Sequence, residues 1–238
     1  IKGIMNENQI VRMKSNFLSA VSHELKTPLT SIRILSELVE SGKQSDIKKI
    51  KQYSNLIGQE SQRLQAMIEN ILNSARLEDK AFKISMAAVD LTELINEIAG
   101  LMKNSFKKQD IELKLSLELD AMVNGDREAL RSVIQNLMDN ALKYSPSGTV
   151  VWVTVEKSGE DTFLFIRDQG KGIPQNALKY IFQKFYREEN EMTRKTKGTG
   201  LGLTLVKQIL DRHRAKIFVK SKINSGTEFK ILFPSGKT

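Results

Sequence analysis

Two stretches of the first eighty residues carry apolar side chains at alternating spacings of three and four. In residues 43–79 the stripe runs Ile50, Tyr53, Ile57, Glu60, Leu64, Met67 and Ile71. That is the seam of a helix packed in a bundle or coiled coil, with Glu60 its one polar member. Upstream, Val21, Leu25, Pro28, Ile32, Leu35 and Val39 repeat the pattern, which extends back through Phe17, Met13 and Ile10. Between the stripes lies Ser41-Gly42-Lys43-Gln44-Ser45, where Gly42 is expected as a C-cap and Ser45 as an N-cap. The pattern predicts a helical hairpin. Leu18, Leu29, Ile34 and Leu38 widen the first stripe beyond what one partner helix covers, so two hairpins are expected to form a homodimeric four-helix bundle.

From about residue 82 the periodicity changes. Leu91, Leu94, Ile95, Ile98, Leu101, Met102 and Phe106 form a helical stripe, and Leu130, Val133, Ile134, Leu137, Met138 and Ala141 form another. Ile111, Leu113, Leu115, Leu117 and Leu119 alternate with polar residues, predicting a strand with one buried face. Further strands are expected near 149–157, 161–167, 215–221 and 227–233, with a helix over about 201–212. Irregular mixing of the two types predicts an α+β domain: one mixed sheet covered by helices on one face. The fold class is therefore multidomain, an all-α hairpin over 1–79 followed by an α+β sandwich over 80–238. The charged stretch 183–200 is too long for a tight connection and has the character of a lid.

Composition narrows the chemistry. Among 238 residues there is no cysteine, which excludes disulfides, thiolate metal sites and a cysteine nucleophile. No run of about 18 apolar residues is present. The chain opens on Ile1 rather than Met, as expected of a piece whose upstream sensor or membrane region is missing. The net charge of +9 suggests a polyanionic partner.

Of two histidines, His23 lies two residues from both Val21 and Leu25, about 200° of helical rotation from each, and so away from the apolar stripe. Thr27 follows one turn on, and Pro28 is expected to interrupt the helix. An isolated exposed histidine beside a kink is ordinary surface. As a nucleophile, an imidazole with a pKa of about 6.5 keeps a free lone pair at neutral pH, and Glu24 could accept its other proton.

The segment Phe17-Leu18-Ser19-Ala20-Val21-Ser22-His23-Glu24-Leu25-Lys26-Thr27-Pro28-Leu29-Thr30 resembles the phosphoacceptor box of sensor histidine kinases of two-component systems. Four more segments match that family in order. Asn136-Leu137-Met138-Asp139-Asn140-Ala141-Leu142-Lys143-Tyr144-Ser145 is similar to its asparagine box. Asp168-Gln169-Gly170-Lys171-Gly172, followed by Ile173, resembles its adenine-binding turn. Ile181-Phe182-Gln183-Lys184-Phe185-Tyr186-Arg187 is similar to its phenylalanine box, and Gly198-Thr199-Gly200-Leu201-Gly202-Leu203 to its phosphate-binding glycine turn. Each alone has a plainer reading: a polar helix face, a common turn, aromatic packing, a hinge. A glycine-rich turn opening a helix does present backbone N–H groups to phosphate. Neither a dinucleotide fingerprint nor a P-loop surrounds this one.

The resemblance, which runs from about residue 10 to 234, implies a Bergerat-type ATP-binding fold. It implies ATP and Mg2+ as cofactors, with Asn140 the magnesium ligand. Asn136 and Lys143 would serve phosphate and metal, Lys184 and Arg187 would reach terminal phosphate oxygens, Tyr144 would flank the nucleotide, and Asp168 would accept the adenine amino group. His23 would be the phosphoacceptor, Glu24 its assistant, and Thr27 the residue that positions water for dephosphorylating the partner. That partner would be the receiver domain of a response regulator, and the location the cytoplasmic portion of a membrane-bound sensor. Related hydrolases carry Glu where this chain has Asn136, so ATP is expected to persist until His23 arrives. The chain also reads His213-Arg214-Ala215 where the family often has His-Gly-Gly, so the local backbone is expected to differ, with His213 structural. The alternatives are a nucleotide-binding dimeric scaffold without transfer, a hydrolytic ATPase, and a basic nucleic-acid binder. The last is not expected, because no nucleic-acid-binding module is recognised. On this reading the charge has a place: Lys143, Lys184, Arg187, Arg194, Lys195 and Lys197 fall in or beside the nucleotide site.

Overall fold

The computed structural model describes residues 7–41, 46–76, 84–183, 186 and 201–234. They belong to two compact units, the first running up to Arg76 and the second built from 84–183 and 202–234.

The first unit is a helical hairpin of α1 (Glu7–Glu40) and α2 (Ile47–Arg76). Its seam is the one the periodicity predicts. Val21, Leu25, Ile32, Leu35 and Val39 of α1 and Ile50, Tyr53, Ile57, Glu60, Leu64 and Ile71 of α2 are half-buried, and Pro28 and Met67 are buried. Outside the seam, Leu18, Leu29, Ile34 and Leu38, with Leu56, Ile68 and Leu72 of α2, are exposed. Two expectations need correcting. Pro28 does not interrupt the helix, since α1 runs through it to Glu40. Its ring is buried in the seam, and that packing offsets the lost backbone hydrogen bond. The cap of α2 is Asp46 rather than Ser45: Asp46 Oδ1 accepts the N–H of Lys48 at 2.9 Å. Gly42 and Ser45 lie outside the described residues, as do the side chains of Ile10, Met13 and Phe17.

The second unit is a two-layer α/β sandwich. Its elements are β1 (Ala87–Asp90), α3 (Leu91–Lys108), β2 (Glu112–Leu117), β3 (Met122–Gly125), α4 (Arg127–Tyr144), β4 (Val150–Ser158), β5 (Asp161–Arg167), α5 (Gln175–Leu178), α6 (Gly202–Arg212), β6 (Lys216–Lys222) and β7 (Gly226–Phe233). The main sheet has the order β2-β4-β5-β7-β6. Only β2 and β4 are parallel, with Leu113 opposite Val151. The other pairs are antiparallel, with Ile166 opposite Phe229 and Val219 opposite Phe229. The strands alternate as period two demands. Val151, Val153, Val155, Leu164, Ile166, Phe229 and Ile231 are buried, while Trp152, Phe163, Phe165 and Lys230 on the other face are half-exposed. Leu94, Ile95 and Ile98 of α3, Leu130, Val133, Ile134 and Leu137 of α4, and Leu205, Val206, Ile209 and Leu210 of α6 complete the core.

Two elements escape the periodicity. A small antiparallel sheet pairs β1 with β3, and α5 is a single turn. The strand expected over 111–119 is shorter, and its apolar face is only partly covered. Leu115 stays 38% exposed because β2 is the edge of the sheet, and Leu119 lies beyond it.

Acidic caps open the helices that matter most. Asp90 Oδ1 accepts the N–H groups of Thr92 and Glu93, and Asp126 Oδ1 those of Glu128 and Ala129, each cap worth about 1 kcal/mol. Helix α6 ends in a Schellman motif. The N–H of Ala215 donates to Leu210 O at 2.9 Å and that of Arg214 to Asp211 O at 3.2 Å. Arg214 sits at φ +54°, so the turn expected to differ for want of glycine is present, with an arginine holding the left-handed position.

A β-carbon is strained there. Arg214→Gly is therefore expected to raise stability by about 0.5–1 kcal/mol, measured by urea denaturation. An unchanged or lower midpoint would contradict this account of the turn.

Candidate nucleotide site

The site is built where α4, the turn after β5, the β6–β7 hairpin and the start of α6 meet. Asp168 directly follows β5 and is 6% exposed. Its Oδ1 accepts the N–H of Gly170 at 2.7 Å and of Thr227 at 3.2 Å. Burial pushes the carboxyl above the ordinary carboxylate range, and those two backbone donors work against that rise. Asp168 Oδ2 has no hydrogen bond among the described residues, which leaves it as the acceptor for a ligand.

The turn is pressed between two pieces of backbone, and this is why it needs glycine. A β-carbon on Gly170 would come within 2.6 Å of Tyr144 O. Gly172 lies at φ +70°, and a β-carbon there would overlap Lys222 O. Gly226, at φ +92°, faces Asp168 O with no room for a side chain. Hydrogen bonds close the arrangement. Asp168 N donates to Thr227 O at 2.9 Å, Asn224 N to Lys171 O at 2.8 Å, and Ile173 N to Ser221 Oγ at 2.8 Å. Gly226, Thr227 and Ser221 are the residues that sequence reasoning missed. They lie more than fifty residues downstream; the pairing of β5 with β7 brings Gly226 and Thr227 to Asp168, and that of β6 with β7 brings Ser221 to Ile173.

Helix α4 contributes the asparagine face. Asn136 is half-buried and its Nδ2 donates to Ser132 O at 2.8 Å. Its Oδ1 lies 2.7 Å from where a β-carbon on Gly202 would stand, so the start of α6 and the middle of α4 approach closely. Asn140, one turn on, is half-buried and has no hydrogen bond among the described residues. At the end of α4 the Tyr144 ring carries two cations, Lys143 Nζ at 5.0 Å and Lys171 Nζ at 4.8 Å from its centroid. Helix α6 opens at Gly202, with Leu203 half-buried and Leu201 buried beside it. In the first turn Thr204 is 3% exposed, and its Oγ1 has no hydrogen-bond partner among the described residues.

The structure thus brings together Asn136, Asn140, Lys143, Tyr144, Asp168, Gly170, Gly172, Ile173 and Gly202. Lys184, Arg187, Gly198, Thr199 and Gly200 lie outside the described residues. In the other unit, His23 and Glu24 are on the backbone of α1 with side chains outside the described part, and Thr27 is half-buried. Among the described residues no three His, Cys, Asp or Glu side chains cluster as a metal site. A divalent cation held here would draw on Asn140 and on oxygens of a bound phosphate. Magnesium tolerates that donor set, since it binds through few protein ligands plus substrate.

The chain is similar to known proteins over both units. Residues 125–237 match the family described as histidine kinase-, DNA gyrase B- and HSP90-like ATPase, and residues 13–80 the His Kinase A (phospho-acceptor) domain. The sensor protein SrrB of Staphylococcus aureus is 29% identical over 238 residues, 98% of this chain and 40% of that protein. The mycobacterial sensor histidine kinase MprB is 30% identical with a TM-score of 0.54, covering 63% of this chain and 97% of that one. Full-length ShkA, solved in complex with AMPPNP, is 26% identical with a TM-score of 0.66, covering 91% and 45%. The chain spans about two fifths of the length of the curated relatives it matches.

Gly226→Ala is expected to lower stability by about 2–3 kcal/mol and to weaken adenine-nucleotide binding beyond what unfolding explains. Calorimetric titration below the melting transition reads this. Binding equal to the parent chain would show that the hairpin does not shape the adenine end.

Proposed function

The chain belongs to the sensor histidine kinases, and we propose on that premise that it transfers the γ-phosphoryl group of ATP to its own His23 and then to an aspartate of a response regulator. The observation that carries the reading is Asn136. It stands where related hydrolases hold a glutamate, and its amide nitrogen is bonded to the backbone of its own helix. An amide so held cannot deprotonate water, so the site is suited to keep ATP whole for another nucleophile.

Adenine would enter against Asp168, its exocyclic amine donating to Oδ2. The phosphates would run toward Gly202, whose turn opens α6 with N–H groups free of intrahelical partners. Lys143 and the lid cations Lys184 and Arg187 would hold the phosphate oxygens, and Asn140 with Mg2+ would offset their charge. In the transfer a nitrogen lone pair of His23 attacks the γ-phosphorus. A P–N bond forms, the bond from phosphorus to the β–γ bridging oxygen breaks, and ADP leaves. Glu24 takes up positive charge by accepting from the other ring nitrogen. Phosphohistidine is a high-energy donor, which suits onward transfer to a carboxylate. Thr27, one turn from His23, would orient the water that later hydrolyses the regulator's acyl phosphate. The exposed leucines and isoleucines of α1 and α2 support a homodimeric bundle as the acting form.

His23→Gln is expected to abolish acid-labile, base-stable label from γ-labelled ATP, and retained label would place the acceptor elsewhere. Asn140→Ala is expected to lose labelling by ATP while still accepting phosphate from a phosphorylated regulator.

The Asp168 carboxyl gives a pH prediction. Because burial raises it, the unliganded folded chain keeps this proton to a higher pH than the unfolded chain, and its contribution to stability falls as pH rises through that window. Adenine needs the ionised oxygen, so nucleotide affinity is expected to change in the opposite sense, weakening on acidification through the same window. Titrations of Asp168→Asn, lacking that step, are the control.

A further inference from the structure

His213 is buried at 5% exposure, and both of its ring nitrogens are engaged. Nδ1 lies 2.7 Å from Ile209 O, a carbonyl, so it carries the proton. Nε2 is then a bare acceptor, and it takes the N–H of Asp126 at 3.0 Å. Asp126 is the cap of α4, with Oδ1 on the N–H groups of Glu128 and Ala129 and Oδ2 on that of Ser85. The backbone before it is pressed onto the ring. A β-carbon on Gly125 would stand 2.6 Å from Leu130 Cδ1 and 2.9 Å from His213 Cδ2. The end of α6 is therefore pinned to the start of α4.

The other end of the same helix pair is the nucleotide site, where Gly202 abuts Asn136 Oδ1. Helices α4 and α6 run antiparallel between these two points. Ten residues separate Asp126 from Asn136 and eleven separate His213 from Gly202, so both struts span about 15–17 Å. A helix moves along its axis as a rod. A slip allowed at the His213 end is therefore passed on to Gly202 at the start of α6.

We propose that His213 is a positioning residue for the nucleotide: its hydrogen bond to Asp126 sets the axial register of α6 on α4, and with it the distance between Gly202 at the start of α6 and the asparagine face of α4 that the phosphates would bridge. The proposal rests on the nucleotide-binding reading above. It differs from a general packing role because it acts on the phosphate end alone. The adenine end is built by Asp168, Gly172 and the β6–β7 hairpin, which are tied to one another by hydrogen bonds of their own.

The test is calorimetric titration of the full 238-residue chain with AMPPNP plus magnesium and, separately, with adenosine, below the melting transition of each variant. His213→Phe keeps a ring but offers no acceptor. His213→Met removes the acceptor with an unbranched side chain, should the first variant fail to fold. His213→Gln can return an acceptor near the position of Nε2. AMPPNP affinity is expected to fall about tenfold in the first two, a size that fits misplacement by a fraction of an ångström, with adenosine affinity unchanged, and Gln is expected to restore most of the loss. Equal loss of both ligands, or AMPPNP affinity like that of the parent chain, would overturn the proposal. Failure of the parent chain to bind either ligand would instead remove the nucleotide reading.

Discussion

Everything at the candidate site is arranged around one buried carboxyl. Asp168 is taken out of water at the end of β5 and is tolerable there only because the N–H groups of Gly170 and Thr227 point at it. Those donors come from opposite directions, one from its own turn and one from β7. To deliver both, the turn must lie flat against Tyr144 O on one side and the β6–β7 hairpin on the other, and that geometry demands glycine at three positions. The glycines, the sheet order and the end of α4 are all conditions for leaving one carboxylate oxygen available in a dry place.

Helix pairing imposes a second order on the unit. The α4–α6 pair has one end at His213 and Asp126 and the other at Asn136 and Gly202. Polar groups are placed at the ends, and the length between them is filled by Leu130, Val133, Leu137, Leu205 and Ile209. Apolar packing supplies cohesion without direction, so it is the hydrogen bond that sets where along the axis the two helices stop.

Much of this fold is legible in the amino-acid sequence, for physical reasons. Stripes of period 3.6 and alternation of period two survive wherever an element is long and has one wet face. So α1 to α4, β4, β5 and α6 show themselves as Val21-Leu25 or Ile50-Tyr53 repeats and as Val151-Val153-Val155 alternation. The elements β1 and β3 have four residues each and carry Asp90, Asn124 and Gly125, too few positions to show a period. Pro28 misleads because the cost of a proline is local while its compensation, burial in the seam, is tertiary. Ser45 misleads because two good capping residues, Ser45 and Asp46, are adjacent and only geometry chooses between them. The site is legible where its residues are contiguous, as in Asn136 to Tyr144. Thr227 and Ser221 carry no such signal, since what matters in Thr227 is a backbone N–H, which nearly any residue possesses. The basic charge is also partly reassigned. Lys171 joins Lys143 over the Tyr144 ring, while Lys230 lies over Phe163 and Phe165 on the open sheet face, away from phosphate chemistry.

The placement of the β6–β7 hairpin has a consequence for biosynthesis. It comprises residues 216–233, yet it supplies a wall of the candidate site and an interior strand of the sheet. Chains emerge from the ribosome N-terminus first. The helices that carry His23 are released and can find their partners while β5 still lacks its neighbour and Asp168 lacks the N–H of Thr227. The hairpin of α1 and α2 can thus close while the second unit still waits for β7, so the two units complete their folds in the order in which they are translated.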